Sequence, residues 1–258
     1  GTTGESATMT AQERYEVIKH VVQRVNGRVP VVAGAGANST SVAIEHQKRA
    51  ADTGAEYALV VTPYYNKPTP EGLYRHYTAL LEAADIPIVM YNVPGRTGCD
   101  MLPETVIRLS AIEGIAAVKE ATGDLDRVAA IRQGTPTDFT ILSGDDPTTC
   151  AFVLLGGDGV ISVTSNLVPK AMVDMVHAAQ EGRIEEAREQ HNALRELFGA
   201  LFIESNPIPV KAAMAALGLL EESYRLPMVA PTDESRARIT AALNDLGDAA
   251  VGQNLAGA

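Results

Sequence analysis

The sequence predicts an α/β protein: a (β/α)8 barrel that lacks its first strand, first helix and second strand and carries a helical region at its C-terminus. Six short apolar, β-branched runs alternate with helix-like segments, which is typical of a parallel sheet. Only helical patterns follow Asn166. The chain also opens in a strand-to-helix loop, residues 1–4, as if a strand preceded it. An open doubly wound sheet also accommodates six strands, whereas a closed barrel needs eight.

The predicted elements follow one another in regular order. The capping-box sequence at residues 10–13 predicts a helix that runs to Gly27. Further helices are predicted near 39–53, after the cap at 69–71, and from residues 103, 124 and 146. The predicted strands are 29–34, 58–61, 86–91, 114–118, 139–142 and 159–163. We expect residues 1–183 to form the partial barrel and residues 184–258 to form the C-terminal helical region.

Composition excludes several classes of protein. The formal net charge is -11 and no run of basic residues forms a stripe, so nucleic acid and anionic membranes are poor partners. No apolar stretch has membrane-spanning length, and the first residues do not have the layout of a signal peptide. The two cysteines, Cys99 and Cys150, match no zinc or CxxC spacing. We therefore expect reduced thiols in a cytoplasmic protein.

Cofactor motifs are also missing from the sequence. The five histidines all fall in helix-like stretches and share no metal-binding spacing. The glycines at 34 and 36 lack the third glycine of a dinucleotide fingerprint, and no GK[ST] motif occurs. We expect no metal and no cofactor.

Polar side chains at the ends of the predicted strands are the candidate functional residues. Lys119 ends an apolar strand, where an amine can act as a Schiff-base nucleophile; a solvated lysine at a strand end is the alternative. Tyr91 follows Val89 by two positions, so it points into the same interior, as an ordinary core tyrosine would too. Arg96 lies in a Pro-Gly turn, where its guanidinium can hold a carboxylate or form a surface ion pair.

Two more segments carry candidate residues. Thr2 and Thr3 precede a predicted helix, and their hydroxyl and N–H groups can bind a carboxylate or simply cap the helix. Tyr64 and Tyr65 follow another strand and can serve either loop packing or an interface with a neighbouring chain.

Taken together, these segments resemble the pyruvate-dependent class I aldolase and N-acetylneuraminate lyase family over nearly the whole chain. The resemblance lies in GTTGES (1–6), VTPYYNKP (61–68), YNVPGRTG (91–98), VKEATGD (118–124), LSGDD (142–146), GVISVTSN (159–166), NPIPVK (206–211) and RLPM (225–228). It is greatest to the members that condense pyruvate with L-aspartate 4-semialdehyde in lysine and diaminopimelate biosynthesis. Such members begin with two strands and a helix ahead of GTTGES, which implies that this chain is N-terminally incomplete.

The resemblance implies a role for each residue of the catalytic centre. Lys119 forms the Schiff base with pyruvate, and Tyr91 acts as general acid and base. Thr2 and Thr3 bind the pyruvate carboxylate, and one of them joins Tyr91 and Tyr65 in a proton relay.

It also implies how the substrates are held and how the chain assembles. Arg96 holds the carboxylate of the semialdehyde, and Gly144 and Ile161 line the pyruvate pocket. Tyr65 crosses to the site of the neighbouring subunit, so the expected assembly is a homo-oligomer, a dimer of dimers.

Two alternatives remain open at this point. Sister enzymes of the N-acetylneuraminate or 2-keto-3-deoxygluconate type share the lysine and tyrosine, and Arg96 favours the acidic aldehyde over a sugar. The other alternative is an inactive fragment, because a barrel without two strands exposes sheet edges and its apolar interior.

Feedback by lysine is a further expectation from the resemblance. A possible lysine site comprises residues suitable for binding, which are Ser6, Ala7, Met9, Asn38 and Tyr64. Ala11, Arg14 and Val42 depart from strongly inhibited members, and Val42 replaces a glutamate that pairs with the cationic ligand. We expect weak or no inhibition by lysine.

Overall fold

The computed structural model describes residues 1–246, which form two compact units. The first contains Gly1, Met9–Gly144 and Leu155–Asp158, and the second contains Thr2–Thr8, Asp145–Leu154 and the chain from Gly159 onward. The division expected between residues 183 and 184 remains a prediction.

Five strands of the first unit pair in parallel, each with the next along the chain. They are β1 (Val32–Gly34), β2 (Tyr57–Val61), β3 (Ile88–Asn92), β4 (Ile115–Glu120) and β5 (Thr140–Ser143). Every residue of β3 is buried, which explains why this strand is almost continuously apolar rather than alternating. The sheet order ends with β6 (Gly159–Val160), so the six predicted strands occur in chain order.

The first unit has six helices, of which the first precedes β1 and the other five follow β1 to β4. They are α1 (Ala11–Val25), α2 (Thr40–Asp52), α3 (Pro70–Ala83), α4 (Pro94–Thr97), α5 (Pro103–Ser110) and α6 (Asp126–Gly134). The predicted capping box is present: Thr10 Oγ1 accepts from Glu13 N at 3.2 Å, and Thr10 N donates to the Glu13 carboxylate at 2.8 Å. Helix α3 buries Tyr77, whose hydroxyl donates to the Val60 carbonyl of β2 at 3.0 Å and so attaches the helix to the sheet.

The regular elements in the described part of the second unit are helices, apart from β6. Its helices are α7 (Thr149–Leu154), α8 (Pro169–Gln180), α9 (Ile184–Leu201), α10 (Ile208–Ala216) and α11 (Asp233–Leu246), and three-residue 3-10 helices lie at Ser6–Thr8, Asp146–Thr148 and Thr164–Asn166. Helix α9 buries Leu194, Phe198 and Leu201 at helical spacing, and these side chains form one core with Met175 and Ile239. No helix in the described part of the chain is long and apolar enough to cross a membrane.

The predicted boundaries were wrong around Lys119. The predicted strand ends at residue 118, whereas β4 continues to Glu120 and so includes Lys119. Helix α6 begins at Asp126, not at Asp124. Between them, Thr122 Oγ1 accepts from Asp124 N at 3.2 Å and the Asp124 carboxylate accepts from Asp126 N at 3.1 Å. Such side chain to backbone bonds compete with helix formation and delay its start.

Two other boundaries also differ. The sixth strand stops at Val160, and the N–H of Val163 donates instead to the Asp146 carboxylate at 3.1 Å. Thr2 and Thr3 do not adjoin a long helix, because a 3-10 turn at Ser6–Thr8 comes first and α1 begins only at Ala11. The absence of two strands and a helix before residue 1 stays a prediction.

Candidate active site

Lys119 and Tyr91 occupy opposite positions on neighbouring strands of the first unit. Residue 91 of β3 is in register with residue 119 of β4. The Lys119 Nζ atom lies 4.3 Å from the centroid of the Tyr91 ring, which is within range of a cation–π contact. Tyr91 is buried and Lys119 is half-buried. The sheet therefore presents an amine and a phenol side by side near the carboxyl ends of two adjacent parallel strands.

Gly144, the residue directly after β5, lies against the Lys119 side chain. A Cβ atom at position 144 would lie 2.8 Å from Cε and 3.1 Å from Cγ of Lys119, and 2.6 Å from Cβ of Ala121. The Gly144 N–H also donates to the Glu120 carbonyl at 2.7 Å, which holds the two backbones together. Any side chain at position 144 would therefore occupy the space that the Lys119 side chain fills.

A buried carboxylate lies immediately after Lys119. The Glu120 side chain accepts from Asn92 Nδ2 at 3.0 Å and from Thr122 N at 2.8 Å, and only 2% of the residue is exposed. Burial raises the pKa of Glu120, and these hydrogen bonds oppose that rise. Neither residue was predicted to belong to the site, although Glu120 falls in the motif VKEATGD and Asn92 falls in YNVPGRTG. The available signal was a second charged residue, directly after Lys119, at the end of an apolar run.

Tyr65 projects from the loop that follows β2. It is 89% exposed, far more than is usual for a tyrosine, and its φ is 73°. Its N–H donates to the Thr97 carbonyl at 3.1 Å, so the backbone is anchored although the ring is not covered. Arg96 is exposed on the short helix α4, which precedes Gly98 in the left-handed conformation. Both side chains are thus presented to the exterior of the first unit.

Thr2, Thr3 and Ile161 belong to the second unit. Asn206 Nδ2 donates to the Thr3 hydroxyl oxygen at 3.0 Å, so the Thr3 proton must point to another acceptor. Asn206 is buried, and it was not among the predicted site residues although the NPIPVK motif contains it. Ile161 is half-buried and directly follows β6.

An ion pair anchors the loop that carries the threonines. Lys211 Nζ lies 2.5 Å from the Glu5 carboxylate, and the two side chains are 15% and 12% exposed. Burial opposes ionisation of Glu5, yet the bonds donated by Lys211 and by Arg225 N lower its pKa overall. This loop is therefore held to helix α10 by a largely buried charge pair.

The residues expected to bind lysine divide between the units. Met9, Asn38 and Tyr64 belong to the first, and Ser6 and Ala7 belong to the second.

Arg14 occupies the first unit beside Tyr64. Its guanidinium donates to the Gly34 carbonyl at 2.9 Å and lies 3.1 Å from His46 Nδ1. Burial lowers the pKa of Arg14, and the nearby Tyr64 acts in the opposite direction. A second cation at this position would be repelled.

A parallel α/β fold that sets a lysine against a tyrosine at adjoining strand ends is the arrangement expected of a lyase that reacts through a lysine amine. The model of the Dihydrodipicolinate synthetase family matches residues 1–246, and the chain belongs to this family. The resemblance found in the sequence is confirmed.

Individual relatives agree with the family assignment. The chain is 52% identical over 247 residues to a 4-hydroxy-tetrahydrodipicolinate synthase of Pseudomonas putida and 53% identical over 247 residues to one of Methylococcus capsulatus, covering 96% of this chain and 85% of each relative. It superposes with a TM-score of 0.94, at 46% identity, on the chloride-inhibited dihydrodipicolinate synthase of Acinetobacter baumannii complexed with pyruvate, with 96% of this chain and 85% of that chain covered.

Proposed function

We propose that this chain condenses pyruvate with L-aspartate 4-semialdehyde through a lysine Schiff base and so forms 4-hydroxy-tetrahydrodipicolinate. The observation that carries the proposal is the in-register pair of Lys119 and Tyr91, with Nζ 4.3 Å from the ring centroid. The relatives that are 52% and 53% identical carry the name of this synthase, which supports the choice of reaction.

The first step joins Lys119 Nζ to the keto carbon of pyruvate. The neutral amine attacks, the keto oxygen takes up a proton, and the carbinolamine then loses water to give the imine. Tyr91 supplies and recovers the proton as general acid and base, since its phenol is on the ring that Nζ already contacts. Loss of a proton from the pyruvate methyl group gives the enamine, whose carbon attacks the aldehyde of the second substrate.

The carboxylates of the two substrates have separate partners in the proposal. Thr2 and Thr3 bind the carboxylate of pyruvate, and the Asn206 bond to Thr3 supports this because it leaves the Thr3 proton available for donation. Arg96 holds the carboxylate of the semialdehyde as a charge-assisted pair. Gly144 keeps the space around the imine open.

Ile161 lines the apolar side of pyruvate in the same proposal. It follows β6 directly and is half-buried, which suits a residue that contacts a small substrate.

The proposal includes an assembly. We infer a homo-oligomer, a dimer of dimers, in which Tyr65 enters the site of a neighbouring subunit and joins the relay of Thr2 or Thr3 with Tyr91. The 89% exposure of Tyr65 on a backbone anchored to Thr97 supports this, because tyrosine is enriched at interfaces between chains and this ring is available to a neighbour. We also infer a location in the cytoplasm. The chain is further proposed to consist of a catalytic barrel at residues 1–183 and a helical region at 184–258, of which residues 247–258 lie outside the part that the structure describes.

Inhibition by lysine is proposed to be weak or absent. The half-buried Arg14 guanidinium beside Tyr64 supports this, because it would repel the ammonium group of lysine. Submillimolar inhibition by lysine would contradict the proposal.

The reaction is tested by incubating the chain with pyruvate and sodium borohydride and measuring the intact mass and peptide map. We expect one pyruvate-derived adduct on Lys119. The Lys119→Ala variant should lose it, and the control Lys170→Ala, which changes a 62% exposed lysine side chain, should keep it. The proposed function is wrong if the unsubstituted chain gives no adduct.

The second substrate is tested with Arg96→Ala. This variant should still form the pyruvate adduct but should turn over L-aspartate 4-semialdehyde poorly, because the carboxylate of the aldehyde loses its partner. Turnover of N-acetylneuraminate or 2-keto-3-deoxygluconate by the unsubstituted chain would instead favour a sister activity.

A further inference from the structure

The residues that directly follow Tyr91 and Lys119 form a second in-register pair. Asn92 of β3 is opposite Glu120 of β4, and the residues are 0% and 2% exposed. Because successive side chains of a strand point to opposite faces, Asn92 and Glu120 lie on the face of the sheet away from the amine and the phenol. A buried polar pair therefore backs the candidate catalytic pair, one residue further along each strand.

The side chains of this pair form hydrogen bonds in addition to the backbone hydrogen bonds that join β3 and β4. Asn92 Nδ2 donates to Glu120 at 3.0 Å and to Asp100 at 3.0 Å, and Asn92 Oδ1 accepts from Met101 N at 2.9 Å. The second Glu120 oxygen accepts from Thr122 N at 2.8 Å. The two side chains thus fix the loop after β3 and the loop after β4 to each other.

Arg127 of helix α6 completes the cluster. It donates to both Asp100 carboxylate oxygens, at 2.8 and 2.6 Å, and lies 3.9 Å from the Glu120 carboxylate and 3.5 Å from that of Asp124. Only 15% of the Arg127 side chain and 2% of the Glu120 side chain are exposed, so the attraction between these two charges is weakly screened by water.

We propose that Glu120 is a positioning residue for the Schiff-base reaction: with Asn92 it fixes the ends of β3 and β4 so that the Lys119 amine is held against the Tyr91 ring. This inference rests on the proposed function. Neither Glu120 nor Asn92 touches the substrate. Their effect is on the relative position of two groups whose reaction depends on distance to within about 1 Å.

Chain connectivity explains how Asn92 and Glu120, on one face of the sheet, can control the positions of Tyr91 and Lys119 on the other. Lys119 and Glu120 are adjacent residues of one strand, as are Tyr91 and Asn92, so a shift of the second pair along the strands moves the first pair by a similar amount. The backbone hydrogen bonds between β3 and β4 do not by themselves prevent such a shift, since the pairing of these strands already changes register between Ile88 and Val89.

The test uses Glu120→Gln, which keeps the shape of the side chain. Glutamine offers one oxygen, but Asn92 Nδ2 and Thr122 N both need an acceptor, so an NH2 group must face a donor in either orientation. Asn92 cannot resolve the conflict by turning over, because its own oxygen accepts from Met101 N. The variant thus disturbs the pair without opening a cavity.

The measurement is the rate of borohydride trapping at saturating pyruvate, per folded molecule, well below the thermal transition. We expect Glu120→Gln to lower this rate about 10- to 100-fold. The control Tyr77→Phe removes one buried hydrogen bond in the same unit, from Tyr77 to the Val60 carbonyl, and should lower stability but not the trapping rate.

Rescue separates positioning from stability. The triple variant Asn92→Asp, Asp100→Asn and Glu120→Gln exchanges donor and acceptor at all three positions and has the same net charge as Glu120→Gln alone. The new amide groups at positions 100 and 120 then both donate to the new carboxylate at position 92, which still accepts from Met101 N. We expect the triple variant to trap at least about threefold faster than Glu120→Gln alone.

The outcomes distinguish the two proposals. If the unsubstituted chain forms no adduct, the proposed function fails and the positioning role fails with it. If the unsubstituted chain forms the adduct but Glu120→Gln forms it equally fast, or loses rate only as much as Tyr77→Phe does, the proposed function stands and the positioning role is wrong. Failure of the triple variant to recover any rate would also refute positioning by this pair.

Discussion

Replacing Gly144 with alanine places a methyl group where the Lys119 side chain now lies. The added Cβ would be 2.6 Å from Cβ of Ala121 and 2.8 Å from Cε of Lys119, whereas carbon atoms in contact normally stay about 3.5–4.0 Å apart. The lysine can change rotamer, but Ala121 has no freedom except in its backbone. We therefore expect both strain in the sheet and displacement of the Lys119 amine.

The size of both effects follows from these distances. Overpacking of a buried site costs about 1–3 kcal/mol. At about 2–4 °C for each kcal/mol in a chain of this size, the melting temperature should fall by roughly 2–12 °C. A shift of about 1 Å in a reacting group costs on the order of 100-fold in rate, so trapping of pyruvate on Lys119 should slow by about 10- to 100-fold.

The assay combines thermal unfolding followed by circular dichroism with borohydride trapping quantified by intact mass. The control is Gly199→Ala, because Gly199 is exposed in helix α9 and a Cβ there meets no atom within 4 Å. Alanine in a helix should raise stability by about 0.5–1 kcal/mol and leave trapping unchanged. Trapping by Gly144→Ala at the unsubstituted rate would refute the argument that this glycine makes room for the lysine.

Three further predictions concern charge and burial. Burial lowers the pKa of His76 from 6.5 to about 4, so the folded chain binds a proton less readily than the unfolded chain does. The free energy of unfolding measured in urea should therefore fall by about 2 kcal/mol between pH 7 and pH 5, and His76→Gln should weaken this dependence on pH. Lys211→Met leaves Glu5 without its cation and should cost about 1–3 kcal/mol at neutral pH in thermal unfolding, with no loss below the depressed pKa of that carboxyl. Burial raises the pKa of the Cys99 and Cys150 thiols, so a thiol reagent should modify the folded chain at least about 100-fold more slowly than the unfolded chain; equal rates would contradict their burial.

Much of the fold is local in origin and was therefore predictable. The capping residues Thr10 and Glu13 begin α1 where the sequence indicates, and the apolar runs become strands because both of their faces are covered. The errors occurred where side chains bond to the backbone. Thr122 and Asp124 delay α6, and the Asp146 carboxylate takes the N–H of Val163 beyond β6. Such bonds depend on where a loop is held, which periodicity does not describe.

The candidate site was partly predictable for the same reason. Lys119 and Tyr91 stand out because a polar group after an apolar strand is unusual. Asn206 and Glu120 do not stand out in the same way, because each matters through a contact with a residue far away along the chain, Thr3 for Asn206 and Asn92 for Glu120. A partner 203 residues away along the chain leaves no local pattern.

The sequence by itself determined the element types, their order and the family, since these depend on short-range periodicity and on motifs that can be read residue by residue. Only the tertiary structure decided that Tyr91 faces Lys119, that Gly144 leaves room for the amine, and that a buried Glu120 backs the pair. Strand register is selected by the summed packing of side chains on both faces of the sheet, and a shift of one residue would exchange those faces. That sum involves the whole unit, so no single segment of the chain encodes it.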